Sequence, residues 1–241
     1  MSFETVLKAA QDGDADAQVA MGYLFFKGEG VSQDRREAAR WFGLASDQGN
    51  AEAMCNLAYI KAHGFGVRGD LEGAIELYTR SAELGYPQAM FNLAFMYTDV
   101  EGVPQDWEKA RHWYGRAADA GSTVALYRLG VIWQEGRGCE PDLSKAVECY
   151  TKAFDEGYPK AGVRMASMMM SGQIPGSPEK AAKLYIRAAD MGSEDAMCEL
   201  GRMSLTGIGM VRSDNNARKW LNKAAVRGSK DAAELLATIG K

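Results

Sequence analysis

Glycine recurs along this chain at an almost constant interval, and this spacing constrains the fold more than any other feature. Five of the six steps between successive members are 36 residues long and one is 35. The members are Gly13, Gly49, Gly85, Gly121, Gly157, Gly192 and Gly228. A period between about 20 and 50 residues is typical of solenoids, in which each unit buries its apolar face against its neighbours. The spacing therefore predicts a repeat array.

Two alanine series keep the same period and include the same single 35-residue step. One series follows each glycine by four residues, beginning at Ala17, and the other begins at Ala38. Small residues at fixed places allow neighbouring helices to approach closely. Three series in one phase over the whole length predict a single structural unit that is copied six times.

Each repeat shows the features of two helices joined by a turn. In residues 14–49, Asp14 is an N-capping residue, and apolar residues follow Ala17 at positions i+4 and i+7. Gly28 can end this first helix in the left-handed conformation, and Asp34 can cap a second helix. The repeat is therefore predicted to be a helix–turn–helix unit.

The whole chain is predicted to be an all-α solenoid with about 14 helices. The predicted segments are an N-terminal capping helix in 1–13, six repeats at 14–49, 50–85, 86–121, 122–157, 158–192 and 193–228, and a C-terminal capping helix in 229–241. Unit three has Asp99-Val100 where glycine is expected, and unit five is one residue shorter near Gly172. Altered turns are expected at these two places.

One place of the second helix is occupied by tryptophan in three repeats, at Trp41, Trp113 and Trp220. Because the place recurs with the apolar series, all three rings are predicted to lie in the core. Cys149 occupies the same place in another repeat, which predicts a small core hydrophobe.

Charge and composition exclude several classes of partner. The net charge is −4 and the basic residues are dispersed, so we expect no nucleic-acid partner. The N-terminus has no signal-peptide pattern, and no apolar run approaches 18 residues, so we expect neither secretion nor a membrane span. A cytoplasmic location is the expectation, although the mature form of an exported protein would show the same features.

The residue pattern indicates no catalytic, cofactor-binding or metal-binding site. The four cysteines form no C-x-x-C pair and the chain has two histidines, so the spacing of a zinc site is missing. Cys55 and His63 are eight residues apart on one predicted helix, which places them about 12 Å apart along its axis. A nucleophile and its base must lie about 3 Å apart. The sequence therefore predicts a protein that is not an enzyme and needs no cofactor.

The repeat pattern resembles the Sel1-like repeat, a relative of the tetratricopeptide repeat, in six copies over essentially the entire chain. In the first copy the resemblance is carried by Ala17, Met21-Gly22, Gly28-Glu29-Gly30-Val31, Asp34, Ala38, Trp41-Phe42 and Gly49. It implies a right-handed superhelix whose first helices line the concave surface. It also implies a scaffold or adaptor that binds a protein or peptide, such as a signalling protein or a secreted effector.

Two other functions are compatible with the resemblance. One is an immunity-type inhibitor that neutralises a secreted bacterial toxin. The other is a small-ligand-binding or hydrolytic solenoid, because a cysteine-rich secreted branch of the family binds β-lactam compounds. That branch pairs cysteines within its repeats and this chain does not, so the activity is not carried over.

A partner site is predicted on one face of the first helices, which we call the first-helix row. It comprises the places of residues 20, 23 and 27 in the first repeat and their equivalents, which share a face by the i, i+3, i+7 rule. Aromatic residues occupy it in the first three repeats and arginines follow, a composition typical of interfaces. An ordinary solvated helix face is the alternative. The predicted binding residues are Tyr23, Asn56, Tyr59, His63, Asn92, Phe95, Arg128 and Arg164.

Overall fold

The computed structural model describes residues 2–239 of the chain. Met1, Gly240 and Lys241, which belong to the predicted capping segments, lie outside the described residues. Within residues 2–239 the chain forms fourteen α-helices and no β-strand, which confirms the all-α solenoid. The helices are α1 (Phe3–Gln11), α2 (Ala15–Lys27), α3 (Arg35–Asp47), α4 (Ala51–His63), α5 (Leu71–Glu83), α6 (Pro87–Asp99), α7 (Trp107–Asp119), α8 (Thr123–Glu135), α9 (Leu143–Asp155), α10 (Pro159–Met170), α11 (Pro178–Asp190), α12 (Glu194–Thr206), α13 (Asp214–Val226) and α14 (Lys230–Thr238).

The chain divides into two compact units. The first unit, Met1–Ser122, contains α1 to α7, and the second unit, Thr123–Lys241, contains α8 to α14. Within each unit a helix packs mainly against the helices that precede and follow it in the sequence. This nearest-neighbour packing is the expected behaviour of a repeat array.

Helix ends follow the capping pattern of the sequence. The Asp14 side chain caps the start of α2 by accepting a hydrogen bond of 2.7 Å from the backbone N–H of Ala17. Asp34 caps the start of α3 in the same way, by accepting from the backbone N–H of Arg36. Gly28 ends α2 with a φ of 77°, a conformation that favours glycine.

The two irregular repeats have altered turns, as predicted. Helix α6 ends at Asp99, and Val100 continues the chain in an extended conformation where the first repeat has a left-handed glycine. Helix α10 has 12 residues and ends at Met170, and its C-cap residue Ser171 is in a right-handed conformation.

The core of each repeat contains a large side chain that packs on a small residue of the preceding helix. A Cβ atom added to Gly22 of α2 would lie 2.5 Å from a ring carbon of Phe42 on α3, so any larger residue there would require the ring to shift. In the second unit, Gly201 has the same close approach to Leu221. The place of Phe42 is therefore the centre of the repeat core.

The tryptophan place lies nearer to the edge of the core than the sequence suggests. Trp41 is buried as predicted, whereas Trp113 and Trp220 are only partly buried, so the prediction of a core position is wrong for these two rings. The neighbouring Tyr114 and Leu221 fill the centre instead. A basic side chain one turn away lies over each of the two exposed ring faces.

Candidate functional site

Helices α2, α4 and α6 place the aromatic members of the first-helix row in the first unit. Tyr59 and Phe95 occupy equivalent places of α4 and α6, and 39% and 36% of their surfaces are exposed. Tyr23, the equivalent residue of α2, is half-buried. The row therefore presents two aromatic rings on consecutive first helices and holds a third against the protein.

Tyr23 joins three helices. Its hydroxyl donates to Glu52 Oε1 and accepts from Asn56 Nδ2, both at 2.8 Å, and both partners are on α4. Its ring meets the edge of Phe42 on α3 with a centroid distance of 5.4 Å. Burial raises the pKa of Tyr23 to about 12, against the opposing effect of the hydrogen bond from Asn56. Two of the predicted binding residues therefore also connect consecutive repeats.

Asn92 makes a similar connection between the next two repeats. Its Nδ2 atom lies 3.4 Å from the Tyr78 hydroxyl and 3.8 Å from the sulfur of Cys55. Gln88 donates to its Oδ1 at 2.8 Å. Burial raises the pKa of the Cys55 thiol to about 12, so this thiol stays protonated at neutral pH.

Tyr59 and His63 belong to a group of rings that we call the aromatic cluster, formed with Phe26 and Phe65. The Tyr59 and His63 centroids are 4.2 Å apart, and His63 stacks on Phe65 at 5.1 Å. The ring of Phe26 lies 6.2 Å from that of Tyr59. The guanidinium of Arg35 lies 4.2 Å from the Phe65 centroid. The C-terminal parts of α2 and α4, the start of α3 and the turn after α4 thus bring four rings and one cation together.

Sequence reasoning missed Phe26, Phe65 and Arg35 because they lie outside the first-helix row. The sequence nonetheless contained a clue to Phe65, because this aromatic residue occupies a turn position at which three other repeats have a charged residue. The equivalent residues are Glu29, Glu101 and Arg137. A comparison of equivalent turn positions between repeats, in addition to the helix faces, would have identified Phe65 as a candidate binding residue.

The second unit carries the arginines of the row. Arg128 is half-buried on α8. Arg164 on α10 donates to Gln134 Oε1 at 3.0 Å and pairs with Glu135 Oε1 at 3.1 Å, both on α8. Tyr150 also donates to Gln134 Oε1, at 2.9 Å. Arg164 therefore connects two repeats through an ion pair. In the first unit, Asn56 connects two repeats through a neutral hydrogen bond to Tyr23.

A cavity of about 630 Å³ lies beside Tyr23 in the first unit, between α1, α2 and the turn that follows α2. The sequence did not predict it, because the depth of a cavity depends on how the capping helix packs. Its lining residues are Phe3, Val6, Ala20, Tyr23, Leu24, Lys27, Glu29, Gly30 and Glu52.

The groups that could perform chemistry are sparse in the described part of the chain. Residues 2–239 contain no group of three or more His, Cys, Asp or Glu side chains that could hold a metal ion. All four cysteines are free thiols. Burial raises the pKa of Cys149 and of Cys198, as it does for Cys55, which opposes formation of the nucleophilic thiolate.

Among the helices of residues 2–239, none has both the length and the apolar character needed to cross a membrane.

Comparison with solved structures finds close counterparts of this fold. A Sel1 repeat protein from Oxalobacter formigenes is 29% identical, with 89% of each chain covered and a TM-score of 0.78. A protective antigen of uropathogenic Escherichia coli with an SLR fold is 26% identical over 94% of this chain and 56% of that chain, with a TM-score of 0.63. An immunity protein from Pseudomonas aeruginosa shares the fold at 20% identity, over 90% of this chain and 82% of that chain, with a TM-score of 0.57.

No curated protein matches the chain. The model of the Sel1 repeat family matches it six times, at residues 15–50, 51–86, 87–122, 123–158, 159–193 and 194–229. These matches account for nearly all of the sequence, and each one comprises a first and a second helix of the structure. The chain therefore belongs to the Sel1 repeat family.

Proposed function

We propose that this protein is a non-enzymatic scaffold that binds a protein or peptide partner through the first-helix row. Sel1 repeat proteins generally mediate protein–protein interaction. The observation that carries the proposal is the exposure of Tyr59 and Phe95 at equivalent places of consecutive first helices. Aromatic side chains are enriched among the residues that dominate binding energy, and exposed aromatics in series are uncommon without a role.

The surroundings of Tyr59 favour its use as an anchor. Its ring is held against His63 and lies near Phe26 and Phe65, so its rotamer is already restricted before a partner binds. Ordering a free side chain at an interface costs about 0.5–1.5 kcal/mol, and a ring that is already held avoids much of this cost. The aromatic cluster therefore presents a rigid apolar surface.

Polar side chains of the first-helix row could orient a bound peptide through hydrogen bonds and charge. Gln88 and Asn92 lie next to Phe95 on α6, and their amides can donate to and accept from a peptide backbone. In the second unit, the half-buried Arg128 offers a guanidinium group for a carboxylate of a partner, whereas Arg164 is already paired with Glu135. The partner of this row is thus a protein segment with apolar anchors and acidic residues.

The alternatives differ in what they require. Neutralisation of a toxin would use the same row, and the identity of the partner distinguishes it from an adaptor role. A β-lactam-binding activity of the kind found in the cysteine-rich branch would require paired cysteines, whereas the thiols of this chain are free.

A photo-crosslinking experiment tests the proposal. A photoreactive phenylalanine analogue replaces Tyr59 on α4 in one variant and Leu44 on α3 in the control, because 39% of each side chain is exposed. We expect one cellular protein to be crosslinked from position 59 and not from position 44. The same partner crosslinked only from position 44 would place the binding surface on the second helices and contradict the proposal.

A further inference from the structure

The cavity beside Tyr23 combines an apolar wall with an acidic rim. Phe3 and Val6 of α1 and Ala20 and Leu24 of α2 form the apolar part. A volume of about 630 Å³ is within the range of small-ligand sites and exceeds what a single aliphatic side chain fills. The volume and the apolar lining therefore accommodate an alkyl chain between the two helices.

Among the described residues, two carboxylates and one ammonium group line the rim. Lys27 pairs with Glu29 at 3.5 Å, which leaves the carboxylate of Glu52 as the excess charge. The C-terminal end of α2, at Lys27, adds negative partial charge on the same side. The electrostatic environment of the cavity therefore favours a cation.

Glu52 is held in position by the protein. The Tyr23 hydroxyl donates to Glu52 Oε1, and Asn56 holds that hydroxyl from the other side. Each carboxylate oxygen has two lone pairs, so Glu52 can still accept further hydrogen bonds beside this one. A compact ammonium group, with three donors that can be oriented freely, can donate to these oxygens while its alkyl stem lies in the apolar part of the cavity.

We propose that this cavity binds an aliphatic chain that ends in a primary ammonium group. The lysine side chain of a protein partner and a free alkylamine share this chemistry. The cavity includes the first-repeat members of the first-helix row, Ala20, Tyr23 and Lys27, so the inference deepens the proposed function at one end of that row. It requires no contact with Tyr59, Phe95 or the aromatic cluster, and the titration below tests it without a protein partner. Its failure would therefore leave the proposed function standing.

The test is a nuclear magnetic resonance titration of the full chain, with the methyl groups of Val6 and Leu24 as reporters. Hexylammonium is the probe, and hexan-1-ol and hexanoate are the neutral and anionic controls. We expect saturable methyl shifts with hexylammonium and on the order of tenfold weaker binding of both controls. Equal binding of hexan-1-ol and hexylammonium, or the absence of saturable shifts, would overturn the proposal.

Two variants separate charge from shape. Glu52→Gln keeps the size of the side chain and an oxygen for Tyr23, and should reduce hexylammonium affinity to that of hexan-1-ol. Glu76→Gln makes the same change of net charge at an exposed place of α5 and should leave the affinity unchanged. An equal loss in both variants would show a nonspecific charge effect and contradict the assignment of Glu52.

The source of the ammonium group is distinguished by a second probe, Nα-acetyl-lysine N-methylamide, which carries lysine as it occurs in a peptide. Saturable shifts of Val6 and Leu24 with both probes would assign the cavity to a lysine side chain of a partner. Shifts with hexylammonium alone would assign it to a free amine, because the peptide backbone would then not fit at the mouth.

Discussion

Phe42 in the first unit and Tyr150 in the second occupy the same place of their repeats, and each packs on a glycine of the preceding helix. The exposed faces of the two units do not match in this way. Tyr59 presents a ring at its place in the first unit, whereas Ser167 occupies the equivalent place in the second. The comparison shows that the repeat constrains buried places and leaves the first-helix row free to diverge.

The bonds between repeats differ as well. In the first unit Asn56 and Tyr23 make a neutral hydrogen bond of 2.8 Å. In the second unit Arg164 and Glu135 make an ion pair of 3.1 Å, and 38% and 32% of the two side chains are exposed. Two chemistries thus perform the same structural task, and they should respond differently to salt.

The largest expected effect tests whether Phe42 and Tyr150 contribute equally to the stability of the cores of the two units. Phe42→Ala and Tyr150→Ala should each lower the free energy of unfolding by about 3–5 kcal/mol, because both side chains are fully buried and each leaves a cavity. Urea denaturation measures this, with the exposed Lys27→Ala as a control that should change stability by less than about 0.5 kcal/mol. A loss below about 1.5 kcal/mol in only one of the two would show that the cores are not equivalent.

Substitutions in the first-helix row test whether its exposed residues bind the partner differently in the two units. Once a partner is purified, Tyr59→Ala and Phe95→Ala should each weaken its binding by about 1–3 kcal/mol through loss of an apolar anchor. Arg128→Ala should also weaken binding, and this loss should shrink as salt is added, since salt screens charge but not apolar burial. Calorimetry at low and high salt measures both. A salt-independent loss for Arg128→Ala would contradict its assigned role.

The periodic features of the sequence were sufficient to predict the helices, their caps and the two altered turns. They did not reveal that Asn56 bonds to Tyr23, because that contact depends on how consecutive repeats are placed against each other. The partial exposure of Trp113 was missed for a related reason: two adjacent aromatic places compete for the core, and the sequence does not rank them. The aromatic cluster joins residues of separate repeats, so a search along single helices could not find it.

Salt should also distinguish the bonds between repeats. Asn56→Ala should cost about 0.5–1.5 kcal/mol of unfolding free energy at any salt concentration, because it removes a neutral hydrogen bond. Arg164→Ala should cost less than about 1 kcal/mol, and this cost should diminish in about 1 M salt. Urea denaturation at two salt concentrations measures both. If the losses of unfolding free energy in the two variants depended equally on salt, the distinction between a neutral bond in the first unit and an ion pair in the second would be contradicted.

The smallest expected effect concerns acid. Hydrogen bonds from backbone N–H groups hold the pKa of Asp70 and Asp106, the caps of α5 and α7, below the usual value of 3.8. A depressed pKa in the folded state stabilises the fold above the usual value, and this contribution is lost as the pH falls through the depressed pKa. Helix α13 is capped by Ser213, which does not titrate.

A fall in pH should therefore destabilise α5 and α7 more than α13. Amide hydrogen exchange, corrected for its intrinsic rate and compared between about pH 5 and about pH 2, measures the local stability of each helix. Helix α9 is the internal control, because Asp142 caps it within the second unit and has a similarly lowered pKa. Equal loss of protection in α9 and α13 would contradict the role of the aspartate caps.

Hydrogen exchange of the purified complex with its partner tests the central claim most directly, because it locates the binding surface without altering any side chain. We expect new protection in α4 and α6, at the segments that contain Tyr59 and Phe95. Protection confined to the second helices, for example around Arg36, Arg40 and Asp47 of α3, would contradict the assignment of the first-helix row as the binding surface.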